Sequence, residues 1–246
     1  MFGFNLDRRL IYAVIGVLAV LSIFSFANNP DSLLSLILTI PGVIIAITFH
    51  EYAHAFVADK LGDDTPRRED RLTLNPLKHM DVIGFALLLF AHFGWGKPVN
   101  INERNFNRKR SISAQVALVS LAGPLMNMIL ALILIIVRTA VMTYAYSFVM
   151  TKTGLIIALL LENTIIVNLG LGIFNLIPLP PLDGSKILAH FLPYNAKAWF
   201  AERQQIFYMI FLVLWVTNLI GYIIEPILIG VYNGLNWVVA SIFSLF

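Results

Sequence analysis

An all-α polytopic membrane protein of about six transmembrane helices is the fold class this chain predicts, with a short re-entrant or extended element between spans two and three. Three observations predict it. Of the 246 residues, 59% are hydrophobic and 13% charged, with mean hydropathy +0.81. A soluble domain is roughly half apolar and about a quarter charged. Several apolar runs approach or exceed the roughly 20 residues that carry a helix across a bilayer core about 30 Å thick. The charge is also segregated: of 31 charged side chains, 17 fall between Asp59 and Arg110. This pattern excludes a disordered chain and an ordinary water-soluble domain.

The elements follow in chain order. Leu10 to Ala27 has no charge inside it and reads as the first span. Arg8, Arg9 and the Ser25-Phe26-Ala27 triplet would also suit a signal peptide, but the run is long for one and a second apolar run follows almost at once, so an uncleaved anchor is expected. Leu33 to Phe49 is the second span and runs straight into His50. Residues 59–110 form the polar segment, punctuated by Gly62-Asp63-Asp64-Thr65-Pro66 and Leu74-Asn75-Pro76. Within it, Val82 to Phe93 is too short to cross and reads as re-entrant or interfacial, and Gly94 to Asn102 as extended. Ile112–Val137, Gly154–Ile177, Ile206–Gly230 and a short Val231–Phe246 complete the six. Neither a repeat nor room for an added folded domain is evident, so residues 1–246 read as one integral-membrane domain.

Orientation follows from Lys and Arg. Arg8 and Arg9 place the N-terminus inside, and the ten Lys and Arg of residues 59–110 place that segment inside as well. The loop at 28–32 has no basic residue. A net charge of +3 is therefore a matter of topology and does not point to nucleic acid.

The chain has no cysteine, so a metal could be held only by His, Asp, Glu or backbone oxygen. The sharpest motif is His50-Glu51-Tyr52-Ala53-His54. On a helix, positions i and i+4 share a face, so both imidazoles can reach one metal, with the intervening Glu close enough to act on a water held there. This is the arrangement of zinc hydrolases. His50 lies 17 residues past Leu33, about 25 Å of helix, toward the inner end of span two. The bland alternative is that Glu51 opens the polar loop and both histidines are solvated. A catalytic zinc needs a third protein ligand and an open position. The candidates are His79, His92, His190, Asp183, Glu162 and Glu225, and Asp183 is the best. It follows three prolines that end span four, on the same side as the histidines. Freed backbone at that depth belongs where it lines a cavity. An isolated Asp-Gly would otherwise be only a turn.

His50 to His54, together with Asn175-Leu176-Ile177-Pro178-Leu179-Pro180-Pro181-Leu182-Asp183-Gly184, resembles the site-2 protease family of intramembrane zinc metalloproteases. Thr48 to Leu61, Arg71 to Pro76, Gly94 to Val99 and Leu121 to Pro124 are similar to its compact prokaryotic subgroup, which lacks PDZ and CBS domains. The resemblance implies that His50, His54 and Asp183 ligate one zinc ion per chain. Glu51 is then the catalytic acid/base, and Asn175 assists binding of substrate or transition state. Gly123, Pro124 and Asn127 match the motif of the third core helix. Asp70 stands where Gly is expected and Gly96 where Ala is common.

For Asn127, an interhelical hydrogen bond and support of the site are both open readings; for Asn168, helix glue and cavity lining are. His79, His92 and His190 read as polar surface or interfacial residues. Trp95 to Asn102 is either a loop or an edge strand that pairs with an unwound peptide. The expected function is an intramembrane zinc endopeptidase with a catalytic core at about 33–190. It cleaves membrane proteins in or near a transmembrane segment, from the cytosolic side of a prokaryotic inner membrane. The alternative is a zinc-binding membrane scaffold or metal transporter without proteolysis.

Overall fold

A computed structural model describes Gly16, residues 29–91, 96–107, 109–217 and 219–245. Apart from Gly16, the expected first span lies outside these residues, as do His92 to Trp95. The described chain is helical. Four helices are long and apolar enough to cross a membrane: α1 (Pro30–Lys60), α5 (Ile112–Tyr144), α7 (Lys152–Asn175) and α11 (Leu219–Phe243). Between them run the short α2 (Thr65–Arg68), α3 (Pro76–His79), α4 (Val82–Ala91) and α6 (Tyr146–Val149). After α7 come α8 (Asp183–Phe191), α9 (Tyr194–Glu202) and α10 (Gln204–Val216). The protein is an integral, multi-pass, all-α membrane protein.

Local chemistry sets the helix ends. Pro30 occupies the first turn of α1, where its missing N–H costs nothing. Ser111 caps α5 by accepting from the Ala114 N–H, and Thr151 caps α7 through the Gly154 N–H. α7 stops at Asn175 because Pro178, Pro180 and Pro181 cannot continue it. The chain then doubles back tightly. A Cβ on Gly184 would stand 2.3 Å from the Leu176 carbonyl oxygen, so only glycine admits this approach of loop to α8.

α1, α5 and α7 pack on one another and form the core. Its buried apolar cluster is Ala131, Ile135, Ile165 and Leu169, to which α11 adds Val239. α11 is peripheral: 6% of its most apolar window is buried, against 39% for each of the other three long helices. Its remaining face is available to lipid. As the i, i+4 reading of the histidine motif requires, the helix of span two continues through it to Lys60, so Glu51 does not open a loop. One boundary differs from expectation. The last apolar stretch breaks at Thr217 and not at Gly230. The Thr217 hydroxyl donates to the Val213 carbonyl, while Gly230 and Gly234, each with open space around it, are absorbed inside an apolar helix, because a backbone in lipid must satisfy its polar groups within the helix.

The polar segment folds back onto the end of α1. The fully buried Asp63 carboxylate accepts from the Thr65 hydroxyl (2.6 Å) and N–H (3.1 Å), the Asn102 N–H (2.7 Å) and the Asn105 amide (3.0 Å). One side chain thereby joins both ends of the segment. Between them, the Arg71 guanidinium donates to the carbonyls of Lys78 and Lys97. Met80 and Gly96 form an antiparallel bridge, and residues 97–102 after it are neither helical nor in a ladder. Asp70 has φ +53, in the left-handed region that glycine favours and Asp tolerates.

Candidate metal centre

Helix α1 carries His50 and His54 on the face turned toward α5 and α8. Their Nε2 atoms are 3.0 Å apart. Asp183, the first residue of α8, brings Oδ2 to 3.2 Å from His50 Nε2 and 3.1 Å from His54 Nε2. All three residues are buried, and these three donor atoms could hold one metal ion. Tetrahedral zinc with N and O ligands at about 2.0–2.1 Å has ligand–ligand edges of about 3.3 Å. A nearly equilateral triangle of two imidazole nitrogens and one carboxylate oxygen fits that ion.

The atoms behind the triangle fix which nitrogen faces inward. His50 Nδ1 donates to Asn127 Oδ1 (2.7 Å), and His54 Nδ1 donates to the Val119 carbonyl (2.7 Å). With Nδ1 protonated and engaged, each Nε2 keeps its lone pair for the centre. Asn127 is held in turn: its amide donates to the Ala46 carbonyl (3.1 Å) and to Asn168 Oδ1 (3.0 Å), and Asn168 donates to the Thr164 carbonyl (2.8 Å). Both asparagines are fully buried. Asn127 therefore supports the site directly, and Asn168 does so at one remove while also joining α7 to α5.

Gly123 makes the approach of α5 possible. A Cβ there would lie 2.4 Å from His54 Nε2 and 2.7 Å from His50 Nε2. The space is a cradle beside the donor atoms that any other residue would fill.

Glu51 points into the adjoining space, and its Oε2 accepts from the Val99 N–H (3.0 Å) of the segment that follows Gly96. A cavity of about 810 Å³ opens beside it, lined among others by His50, Glu51, Gly96, Asn175 and Pro181. Asn175 faces this cavity while its amide donates back to the Leu171 carbonyl (3.0 Å). Of the residues singled out in sequence, His50, Glu51, His54 and Asp183 are therefore together, with Asn175 along the same wall.

Among the described residues, the other candidates for a third ligand are elsewhere. Glu162 pairs with Arg138, and both bond Tyr232 of α11. Glu225 is exposed. His79 is not at the surface but fully buried, where its Nε2 donates to the Thr73 carbonyl (2.7 Å). Burial lowers its pKa, the Thr73 carbonyl opposes that shift, and Arg71 adds to it. The Val119 carbonyl and Val99 N–H escaped sequence reasoning because backbone groups carry no residue signature.

The profile of peptidase family M50 matches residues 38–217, nearly three quarters of the chain and both halves of this centre. The chain belongs to peptidase family M50. Relatives agree with that M50 assignment. YwhC of Bacillus subtilis, which carries a zinc-metalloprotease name, is 42% identical over 189 residues, 76% of this chain and 83% of that protein. Rip2 of Mycolicibacterium smegmatis, similarly named, is 32% identical over 74% of this chain and 67% of its own length. A Methanocaldococcus jannaschii protein with a zinc-metalloprotease name is 29% identical over 85% of this chain and 96% of its own. No solved structure matches the chain significantly. As an M50 member the protein is a zinc-dependent metalloprotease, and its apolar helices make it a membrane-embedded one.

Proposed function

We propose that the protein is an intramembrane zinc endopeptidase that hydrolyses peptide bonds in or near the transmembrane segments of other membrane proteins. Residues 33–190 form the catalytic core of its single integral-membrane domain, and the centre faces the cytosolic side of a prokaryotic inner membrane. The observation that carries this reading is the convergence of three buried donor atoms on one point of a long apolar helix, beside a cavity that His50 and Glu51 line.

His50, His54 and Asp183 would hold one zinc ion. When bound, that ion supplies a Lewis acid that polarises a carbonyl and brings the pKa of water toward about 7. Glu51 takes the proton from the attacking water and returns it to the leaving amine, its carboxylate aimed by the Val99 N–H. Asn175, once released from the Leu171 carbonyl, donates its amide to the developing oxyanion. The substrate must arrive extended, because a helix hides the scissile backbone groups. The segment at 97–102 lies next to Glu51 and offers an edge for main-chain pairing. The bilayer supplies the route by which an apolar segment reaches the site.

The test is the Glu51→Gln variant, purified beside wild type in nanodiscs with a transmembrane peptide substrate. It should keep its zinc, measured by atomic absorption, and lose cleavage by about 10²-fold or more. Undiminished cleavage by that variant overturns the reading.

A further inference from the structure

The cavity beside the metal centre has a second polar corner. At its far end Lys197 of α9 lies 3.3 Å from Ser113 Oγ, at the start of α5, and His190 Nδ1 of α8 lies 3.3 Å from the same oxygen. Ser113 and Lys197 line the cavity. Lys197 is half-buried, yet no carboxylate pairs with it among the described residues. Lys186, also on the wall, differs: its ammonium lies 3.5 Å from Asp183 Oδ1 and is committed there. Glu103 lines the cavity as well but pairs with neither cation. The first turn of α5 adds unpaired N–H groups and the positive end of its dipole to the corner. A half-buried ammonium with only a hydroxyl and an imidazole for company is short of an anion.

We propose that Lys197, His190 and Ser113 form a subsite that recognises the carboxylate of a substrate Asp or Glu. The inference rests on the endopeptidase reading and names the substrate class for it. Helix geometry gives the spacing. His190 is seven residues along α8 from Asp183, which is about 10 Å, or about three residues of extended peptide. Ser113 is six residues from Val119 along α5, a similar distance in the same direction. The recognised carboxylate therefore lies about three residues from the scissile bond, on the side of the polar segment. The subsite discriminates. Inner flanks of ordinary transmembrane segments are rich in Lys and Arg, and the Lys197 ammonium repels them. A segment with an acidic inner flank is accepted.

The test uses the full-length protein in neutral phosphatidylcholine nanodiscs and three transmembrane peptides that differ at that position: Asp, Gln or Lys. Wild type should cleave the Asp peptide about tenfold faster in kcat/KM than the Gln peptide, and the Lys peptide slower still. Lys197→Gln should bring the Asp-to-Gln ratio close to one. Ser113→Asp, which sets a carboxylate against the same ammonium from another helix, should do likewise, so the test does not depend on one variant folding. Ratios that are equal in wild type, or that neither substitution moves, overturn the subsite. A wild-type preference seen in phosphatidylcholine that vanishes in phosphatidylglycerol discs assigns the corner to a lipid phosphate and also overturns it. Failure of the endopeptidase reading looks different: wild type cuts none of the peptides, or Glu51→Gln cuts them equally.

Discussion

At the candidate metal centre each histidine is fixed at both nitrogens, one toward the donor triangle and one toward a carbonyl oxygen of α5. That arrangement separates two substitutions that look equally mild. Asn127→Ala removes the acceptor from His50 Nδ1 and frees the ring to rotate or change tautomer, while the three donor atoms stay. Loss of such a supporting partner costs about 10–100-fold in metal affinity. Gly123→Ala, by contrast, places a methyl 2.4 Å from His54 Nε2, and the donor triangle cannot form around it. Competition with a graded zinc chelator should therefore show weakened zinc binding for Asn127→Ala and no stoichiometric zinc for Gly123→Ala. Equal affinity in both variants and wild type would contradict the geometry. The two histidines and Glu51 were legible from helical spacing alone. Asp183 was legible as the best of several candidates, because its place after the prolines put it at the same end of a span. The need for glycine at 123 was not legible, because it depends on how close α5 comes to α1.

Among the elements, the polar segment is a fastened strap and not a loose loop. Asp63 holds its two ends together. Burial alone would raise the pKa of this carboxyl, but the hydrogen bonds from Thr65, Asn102 and Asn105 outweigh burial and hold it below the ordinary value. A carboxyl with a depressed folded pKa stabilises the fold fully above its unfolded pKa of about 3.9, and that stabilisation is lost as pH falls through the folded value. Asp63→Asn should thus lower the melting temperature most at neutral pH, and the gap to wild type should narrow below about pH 4. A gap independent of pH between 7 and 3 would show that the charge plays no part. The strap also sets the Val99 N–H on the Glu51 carboxylate, so its integrity reaches the candidate site. Sequence showed the strap as turn signals and charge. It did not show Asp63, Arg71 and His79 as buried, because a polar segment without apolar periodicity gives no sign of which polar groups turn inward. The break at Thr217 was missed for a related reason. In a continuously apolar stretch a glycine looks like punctuation, and a side-chain bond to the preceding turn does not.

For the whole molecule, the proposed orientation of the centre rests on the distribution of basic charge. Basic residues number ten in 59–110, while Arg138 and Lys152 flank the opposite ends of α5 and α7. Arg138, however, does not behave as a loop charge. It is half-buried and bonded to Glu162, Tyr232 and Asn236, a cluster that ties the peripheral α11 to the core. Its charge is neutralised within the protein, so Lys152 is the one basic side chain left free between α5 and α7 among the described residues. The charge asymmetry behind the proposed orientation is correspondingly larger. α5, at 33 residues, is about 50 Å long and exceeds a hydrocarbon core of about 30 Å, so it tilts or projects beyond it. His50 lies ten residues before the end of α1, about 15 Å from the strap. In the proposed orientation the centre sits within the inner half of the bilayer, with the cavity opening toward the cytosol. The absence of cysteine makes this directly measurable, since each introduced thiol is the only one. Lys109→Cys in the strap and Lys152→Cys at the start of α7 are both exposed positions. A membrane-impermeant maleimide applied to right-side-out vesicles should label the second and spare the first, and inverted vesicles should reverse the pattern. Labelling of both from one side would contradict α5 as a span, and the opposite pattern would turn the centre to the outer face.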